Sequence, residues 1–312
     1  MSEMRVVALG AHVLDTLVRP VEQIPSGQSG ELVEQIKMTA AGPAGGTAVV
    51  LSRLGAAVQS AGAVGTDALG DLLLALLARE GVDTSLLVRR DGVQTSGSVL
   101  PIRPDGSRPA FHVIGANGSY ELEDVPWDAI AAATHLHVGG PEFLGEMAVK
   151  VLSYARDHGV TTSVDSLAPA DPGFFELFAP VLPFVDYLLP NDEQVLGWTG
   201  TDDLVTGCQA LLARGAGCVV ATAGADGAVV VAGDLIEAVP AFAVDVVDTT
   251  GCGDAFSAGF LRALSLGYDA RDAASFGCAT AAQVAGGLGS DAGNYDLDSV
   301  LAFVASDPTP VG

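Results

Sequence analysis

The stretch Asp248-Thr249-Thr250-Gly251-Cys252-Gly253-Asp254-Ala255-Phe256 carries the residue types most able to do chemistry. Glycines at 251 and 253 precede a run with helical spacing (Phe256, Phe260, Ala263, Leu264), and Asp254 falls in its first turn. A helix start presents unpaired backbone N–H groups and partial positive charge, which suits a phosphate. Glycines let the backbone approach the anion closely. A carboxylate beside such a site makes sense as a base that takes the proton from a hydroxyl during phosphoryl transfer. The plainer reading is that Asp254 only caps a helix and the glycines only make a turn. Two features weigh against it: the strand-like run Phe242 to Val247 before the motif, and the extra oxygen ligands of Asp248, Thr249 and Thr250. Cys252 at the same helix start is either an activated thiol or a tolerated small side chain.

Other elements must hold this motif in place. Arg5 to Leu9 reads as a strand ending at Gly10, followed by strands at Leu14 to Pro20 and Glu31 to Met38. Ala44 to Leu54 and Asp67 to Glu80 read as helices flanking a strand at Val58 to Val64. Strand-like pieces return at Leu86 to Arg90, Ser96 to Ile102 and Ala110 to Ile114, with a turn at Pro104-Asp105-Gly106. From about residue 126 strands and helices alternate, which implies a mostly parallel sheet covered by helices. The expected class is α/β in three layers. Residues 1–12, 39–85 and 115–312 form the core, and residues 13–38 and 86–114 a small β-sheet lid. Ligands of such sheets bind beyond the carboxyl ends of the strands.

Composition narrows the function. The chain has 312 residues, 49% of them hydrophobic, and a formal charge of -24 from 14 basic against 38 acidic residues. That charge disfavours nucleic acid and anionic membranes as partners. The cysteines Cys208, Cys218, Cys252 and Cys278 lack metal-ligand spacing, and the histidines show no metal pattern. No signal peptide or membrane span is legible, so a cytoplasmic protein is expected. The initial strand and turn, Val6 to Asp15, lack the Gly-x-Gly-x-x-Gly of dinucleotide-binding oxidoreductases.

With these motifs in view, the chain resembles the ribokinase-like (PfkB) family of carbohydrate kinases, and does so over nearly its whole length. The strongest likeness is residues 248–256. A second is Gly42-Pro43-Ala44-Gly45-Gly46-Thr47-Ala48 followed by Leu51-Ser52-Arg53-Leu54-Gly55. The resemblance implies ATP-dependent phosphorylation of a hydroxyl on a small sugar, polyol or nucleoside. It makes Asp254 the base and the amides of Gly251, Cys252, Gly253 and Asp254 the anion hole. It places Asp15, Gly42, Gly46 and Glu142 against the acceptor, and Asn191, Thr222, Gly224, Gly227 and Thr249 against the nucleotide. Asn191 and Gln194, with Glu193 beside them, match an Asn-x-x-Glu element that organises magnesium and its waters. Asp248, Thr250, Gly289 and Gly293 fall where some members hold potassium. A homodimer through the lid is a further expectation. The chain departs from the family with Gly46 where Asn is common, Gln194 where Glu is common, and Cys252 where a smaller residue is usual. These departures keep one alternative open, a non-catalytic sugar- or nucleotide-binding protein on the same fold.

Overall fold

A computed structural model describes residues 3–104 and 107–306. Asp105 and Gly106, the centre of the expected turn, lie outside the described residues. The chain opens with β1 (Arg5–Gly10), β2 (Val13–Arg19), β3 (Gln35–Ala41), α1 (Gly45–Arg53), β4 (Ala57–Gly65), α2 (Ala68–Arg79) and β5 (Asp83–Arg90). Next come β6 (Gly97–Pro101), β7 (Phe111–Val113), α3 (Trp127–Ala132), β8 (His135–Gly139), α4 (Glu146–Asp157), β9 (Thr161–Asp165), α5 (Pro172–Phe178) and β10 (Tyr187–Leu188). The last third holds α6 (Asp192–Thr199), α7 (Leu204–Ala213), β11 (Cys218–Thr222), β12 (Ala228–Ala232), β13 (Leu235–Val239), α8 (Cys252–Ser265), α9 (Ala270–Ala285) and α10 (Leu297–Ala305).

The large sheet runs β13-β12-β11-β10-β9-β8-β1-β4-β5. It is parallel from β11 to β5 and antiparallel at the β11-β12-β13 end. Alternation of side chains across a strand puts apolar residues on both faces. Val6 and Ala8 of β1 face one core, with α1, α2, α8 and α9, while Val7 and Leu9 face the other, with α3 to α7. The strands are therefore buried on both sides, as a parallel sheet requires. This is the expected three-layer arrangement.

The small sheet has the order β3-β2-β6-β7. Leu86 to Arg90, expected in it, lies instead in β5, paired parallel to β4 at the edge of the large sheet. The crossover through α2 fixes this placement, because a helix between two parallel strands returns the chain to the same sheet. The run Phe242 to Val247 is likewise not a strand. β13 ends at Val239 before Pro240, and the Val247 N–H donates to the Ala285 carbonyl at the end of α9 (2.8 Å).

Glycines at the carboxyl ends of β1 and β8 let loops close over the sheet. A Cβ at Gly139 would lie 2.2 Å from the Ala44 nitrogen, so the Gly42–Ala44 turn rests directly on β8. Beneath it runs a buried polar chain. His137 donates from Nε2 to the Pro43 carbonyl (3.0 Å), so its Nδ1 must accept from Ser163 Oγ (2.8 Å). His135 Nε2 then donates to that same oxygen (2.8 Å). These histidines hold the turn, and burial lowers both, His135 to about 3 and His137 to about 4, which keeps them neutral. Among the described residues no cluster of His, Cys, Asp or Glu could hold a metal ion, and no helix is long and apolar enough to cross a membrane.

Candidate active site

A cavity of about 220 Å³ opens at the carboxyl ends of β9 and β11, between the large sheet, the small sheet and the start of α8. Asp15, Gly42, Asp165, Asn191, Gln194, Thr222, Thr250, Gly251, Gly253 and Asp254 line it, together with Arg108 and Ser290. The topology thus brings the sequence's scattered signals to one place.

α8 begins on Gly251, whose φ of 80° is left-handed and costs a glycine little. A side chain there would collide with Ser290, since its Cβ would stand 2.5 Å from the Ser290 Cα. No side chain caps this helix, and Asp254 has no hydrogen-bond partner among the described residues. The capping reading of Asp254 is therefore excluded. The Cys252 N–H donates to the Thr249 carbonyl (3.2 Å), while those of Gly251, Gly253 and Asp254 stay uncommitted among the described residues. Gly253 is exposed, with open space where a Cβ would be. Ser290 Oγ is buried with no partner in the cavity wall. Free amides and an orphan hydroxyl around one opening fit the oxygens of a nucleotide phosphate.

The acceptor side is acidic. Burial raises Asp15 to about 6 and Asp165 to about 7, and holds Asp254 well above the usual carboxylate range, where the charges of Asp165 and Asp15 push it further. Arg108, in the loop between β6 and β7, opposes these shifts at Asp15 and Asp254 and donates from Nε to Thr249 Oγ1 (3.3 Å). Gly46 faces Asp254 directly. A Cβ at position 46 would lie 2.1 Å from Asp254 Oδ2, so any side chain there would make the carboxylate turn away.

Several expected residues stand elsewhere or are already engaged. Glu142 does not line the cavity. It accepts from Ser166 Oγ (2.9 Å) and the Leu167 N–H (2.8 Å), holding the loop after β9 from behind. Asp165, which the motif reading did not single out, faces the cavity instead. Its only sequence signal was its place at the end of a parallel strand. Gln194 forms a capping box with Asn191 and gives both amide hydrogens to the Ser166 and Ala168 carbonyls. Its amide holds the loop, and Glu193 is exposed away from the cavity. Gly224 and Gly227 form the tight turn between β11 and β12 and do not line the cavity; Thr222 does. Cys252 is not an activated thiol: burial, then the charge of Asp248, pushes it up to about 12.

The groups expected to hold potassium take part in hydrogen bonds within this loop. The Gly289 carbonyl accepts from the Ala292 N–H (2.9 Å) and the Gly293 carbonyl from Arg53 Nη1 (3.3 Å). Asp248 accepts from Thr250 N–H, Thr250 Oγ1 and the Gly289 N–H. Fixed cations already tie this loop: Lys37 reaches the Leu288 carbonyl (2.7 Å) and the Asp291 carboxylate (2.6 Å).

With this geometry in view, the comparisons decide the family. The model of the pfkB family carbohydrate kinases matches residues 4–296. The chain belongs to that family. It is 27% identical over 287 residues to a nucleoside kinase of Methanothermobacter thermautotrophicus, covering 90% of this chain and 89% of that one. It is 27% identical over 314 residues to an ATP-dependent ribose-1-phosphate kinase of Halopiger xanaduensis, covering 97% and 98%. A putative ribokinase II from E. coli, solved in complex with ATP and Mg2+, superposes with a TM-score of 0.85 at 22% identity, covering 98% of this pfkB kinase and 100% of that chain.

The raised carboxyls set a pH dependence of stability. A carboxyl whose folded value exceeds its unfolded one favours the folded state below the unfolded value. That advantage is lost as pH rises through the folded value. For Asp15 and Asp165 the loss falls between about pH 4 and pH 7. Asp165→Asn removes one such charge. It should be more stable than the parent at pH 8 by on the order of 1–3 kcal/mol, with the gap closing toward pH 5. Thermal unfolding of the ligand-free protein across that range reads the effect, and a variant melting below the parent at pH 8 contradicts it.

Proposed function

We propose that this pfkB kinase transfers the γ-phosphoryl group of ATP to a hydroxyl of a small sugar, polyol or nucleoside, with Asp254 as the base. One observation carries the reading: a partnerless carboxylate in the first turn of a buried helix, next to uncommitted amides, over a shared cavity. A buried carboxyl held above the usual range is a poor resting anion and a ready proton acceptor. The amides of Gly251, Gly253 and Asp254 would meet charge on the moving phosphoryl group. Asp15 would accept from an acceptor hydroxyl, and the Gly42 turn, held by His137, would close over the acceptor. Thr222 and Thr249 flank the phosphate path. Magnesium, when bound with the nucleotide, neutralises phosphate oxygens. Asn191 is the side chain at hand to hold a water of that ion, Gln194 having spent its amide on the loop.

A second copy of the chain is the partner we assign to the small sheet. Met38, Thr16, Val99 and Phe111 are successive cross-strand neighbours on one face, and Met38, Val99 and Phe111 are 43%, 46% and 61% exposed. A row of exposed apolar residues across a sheet is the kind of patch that pairs.

Three measurements test these assignments. Asp254→Asn should lower turnover about 10²- to 10⁴-fold, the range for a positioned base, with ATP binding retained; near-parental turnover in an ADP-release assay would remove the role. Replacing potassium by sodium at constant ionic strength should leave ADP release within about twofold, because protein groups already occupy the expected carbonyls; strong activation by potassium would count against the engaged loop. Sedimentation should find a dimer that Phe111→Glu converts to monomer, and a parental protein that runs as a monomer at tens of micromolar (about the working concentration of the assay) would rule the interface out.

A further inference from the structure

A nucleotide that brings its phosphates into the cavity meets three acids there: Asp15 from β2, Asp165 from the end of β9 and Asp254 from α8. Among the described residues Arg108 is the only cation in the lining, and it comes from the loop between β6 and β7. Under the kinase reading, on which the assignment of this arginine rests, phosphate charge is met by the amides that open α8, by magnesium and by this one side chain.

Arg108 is held near its base and free at its tip. The Arg103 N–H donates to the Ser107 carbonyl (2.9 Å) and Arg103 Nη1 to Ser107 Oγ (3.2 Å), which closes the loop one residue before Arg108. The Arg108 Nε donates to Thr249 Oγ1 (3.3 Å), so the guanidinium reaches from the small sheet to the segment that opens α8. Nη1 and Nη2 have no partner among the described residues, which leaves both forked nitrogens for a ligand. The arginine's charge bears on Asp15, on Asp254 and on Cys252 in the first turn of α8. Donors from three elements therefore surround one opening: the uncommitted amides of α8, the buried and unpartnered Ser290 Oγ from the loop after α9, and Arg108 from the small sheet.

We propose that Arg108 is a catalytic residue whose two terminal nitrogens hold the γ-phosphoryl group of ATP through its transfer. In that step the acceptor oxygen forms a bond to the γ-phosphorus while the bond from that phosphorus to the β–γ bridging oxygen breaks. The electron pair of the broken bond stays with ADP, the acceptor's proton goes to Asp254, and Arg108 keeps its own protons. The moving group spreads its charge over its outer oxygens, and a planar guanidinium donates to two of them at once where an ammonium acts as a point charge. The amides of α8 are fixed and neutral, so Arg108 adds the one full positive charge that the cavity lining contributes. β2 and β6 are paired with Asp15 opposite Ser98, so the acid on the acceptor side and the loop that carries Arg108 belong to one sheet. A phosphate on the acceptor has the same chemistry as the γ-phosphoryl group; the tether to Thr249, at the start of the α8 motif, favours the nucleotide's.

ADP-release kinetics with D-ribose, adenosine and ribose 1-phosphate as acceptor probes, and calorimetry with ADP and β,γ-imido-ATP in magnesium buffer, test the assignment on the full chain. Arg108→Ala should lower kcat about 10²- to 10³-fold, the range for one lost donor to a transition state, with Arg108→Lys between it and the parent. KM for the acceptor should stay within about threefold. Added guanidinium should raise kcat of Arg108→Ala at least about tenfold and leave the parent unchanged, a response that a structural defect does not give. The parent should bind β,γ-imido-ATP at least about tenfold more tightly than ADP, and Arg108→Ala should lose most of that difference. Arg108 is exposed, so both variants should melt with the parent. Parental kcat in Arg108→Ala, or unchanged discrimination between the two nucleotides, overturns the assignment. A rise confined to the KM of ribose 1-phosphate also overturns it, since that gives the arginine to a charged acceptor. No ADP release by the parent across sugars, polyols and nucleosides would tell against the kinase reading, while lost nucleotide discrimination in Arg108→Ala would still support the arginine's hold on the γ-phosphate.

Discussion

Burying three carboxyls around one cavity is the constraint on which this site depends. Asp15, Asp165 and Asp254 share it with Arg108, which opposes the shifts at Asp15 and Asp254, and each is driven upward chiefly by loss of water. Such groups cost folding free energy near neutral pH. The cost is tolerable because the start of α8 supplies partial positive charge beside Asp254 and because the rest of the fold is heavily buried on both faces of the large sheet. Under the proposed reading, Asp254 would be held where its proton affinity is high, and a hydroxyl-bearing ligand would supply donors that the empty cavity lacks.

Close backbone approaches set the position of α8, together with Arg262, which donates from Nε to the Leu54 carbonyl (2.8 Å). At its start, Gly251 leaves room for Ser290; one helix away, Gly46 leaves room for the Asp254 carboxylate. Along its length, Gly259 meets Thr280 and Gly277 of α9, where a Cβ would lie 2.4 Å from Thr280 Oγ1. These close contacts leave the start of the helix little room to shift. They also account for the glycine at 46, where the family commonly has Asn. In this chain the carboxylate occupies that space, so the missing amide reflects a different use of the volume.

Much of this was legible in the sequence. Residues 248–256, the strand-helix alternation after residue 126, and the polar and glycine residues at strand ends carried the fold and most of the cavity. What escaped was long-range. Leu86 to Arg90 has the same local pattern whether it joins the large sheet or the small one, and only the crossover through α2 decides. Glu142 and Asp165 are both acids at or after the ends of parallel strands, and which one faces the cavity depends on where Ser166 and Leu167 turn. Cys252 sits at a helix start, which locally favours a thiolate, yet burial and the neighbouring Asp248 outweigh that field. Gln194 looked like a weakened metal contact, and its partners proved to be carbonyls 26 and 28 residues back.

Cations join the small sheet to the loop after α9, and both contribute to the cavity wall. Lys37 of β3, Arg53 of α1 and Arg79 of α2 converge on the segment around Asp291, whose side chain is 7% exposed, and Arg53 also pairs with Glu80 (2.8 Å). In a chain with 14 basic residues, this is a heavy local commitment of cations. Partly buried, hydrogen-bonded pairs of this kind hold geometry better than exposed ones. The same segment supplies Ser290 to the cavity wall and the Gly289 N–H to Asp248, two residues before Thr250. A displacement of β3 therefore bears on the turn that opens α8 through Lys37, Leu288 and Asp248. Protein cations thus tie β3, which pairs with the Asp15 strand β2, to the loop that packs on the start of α8.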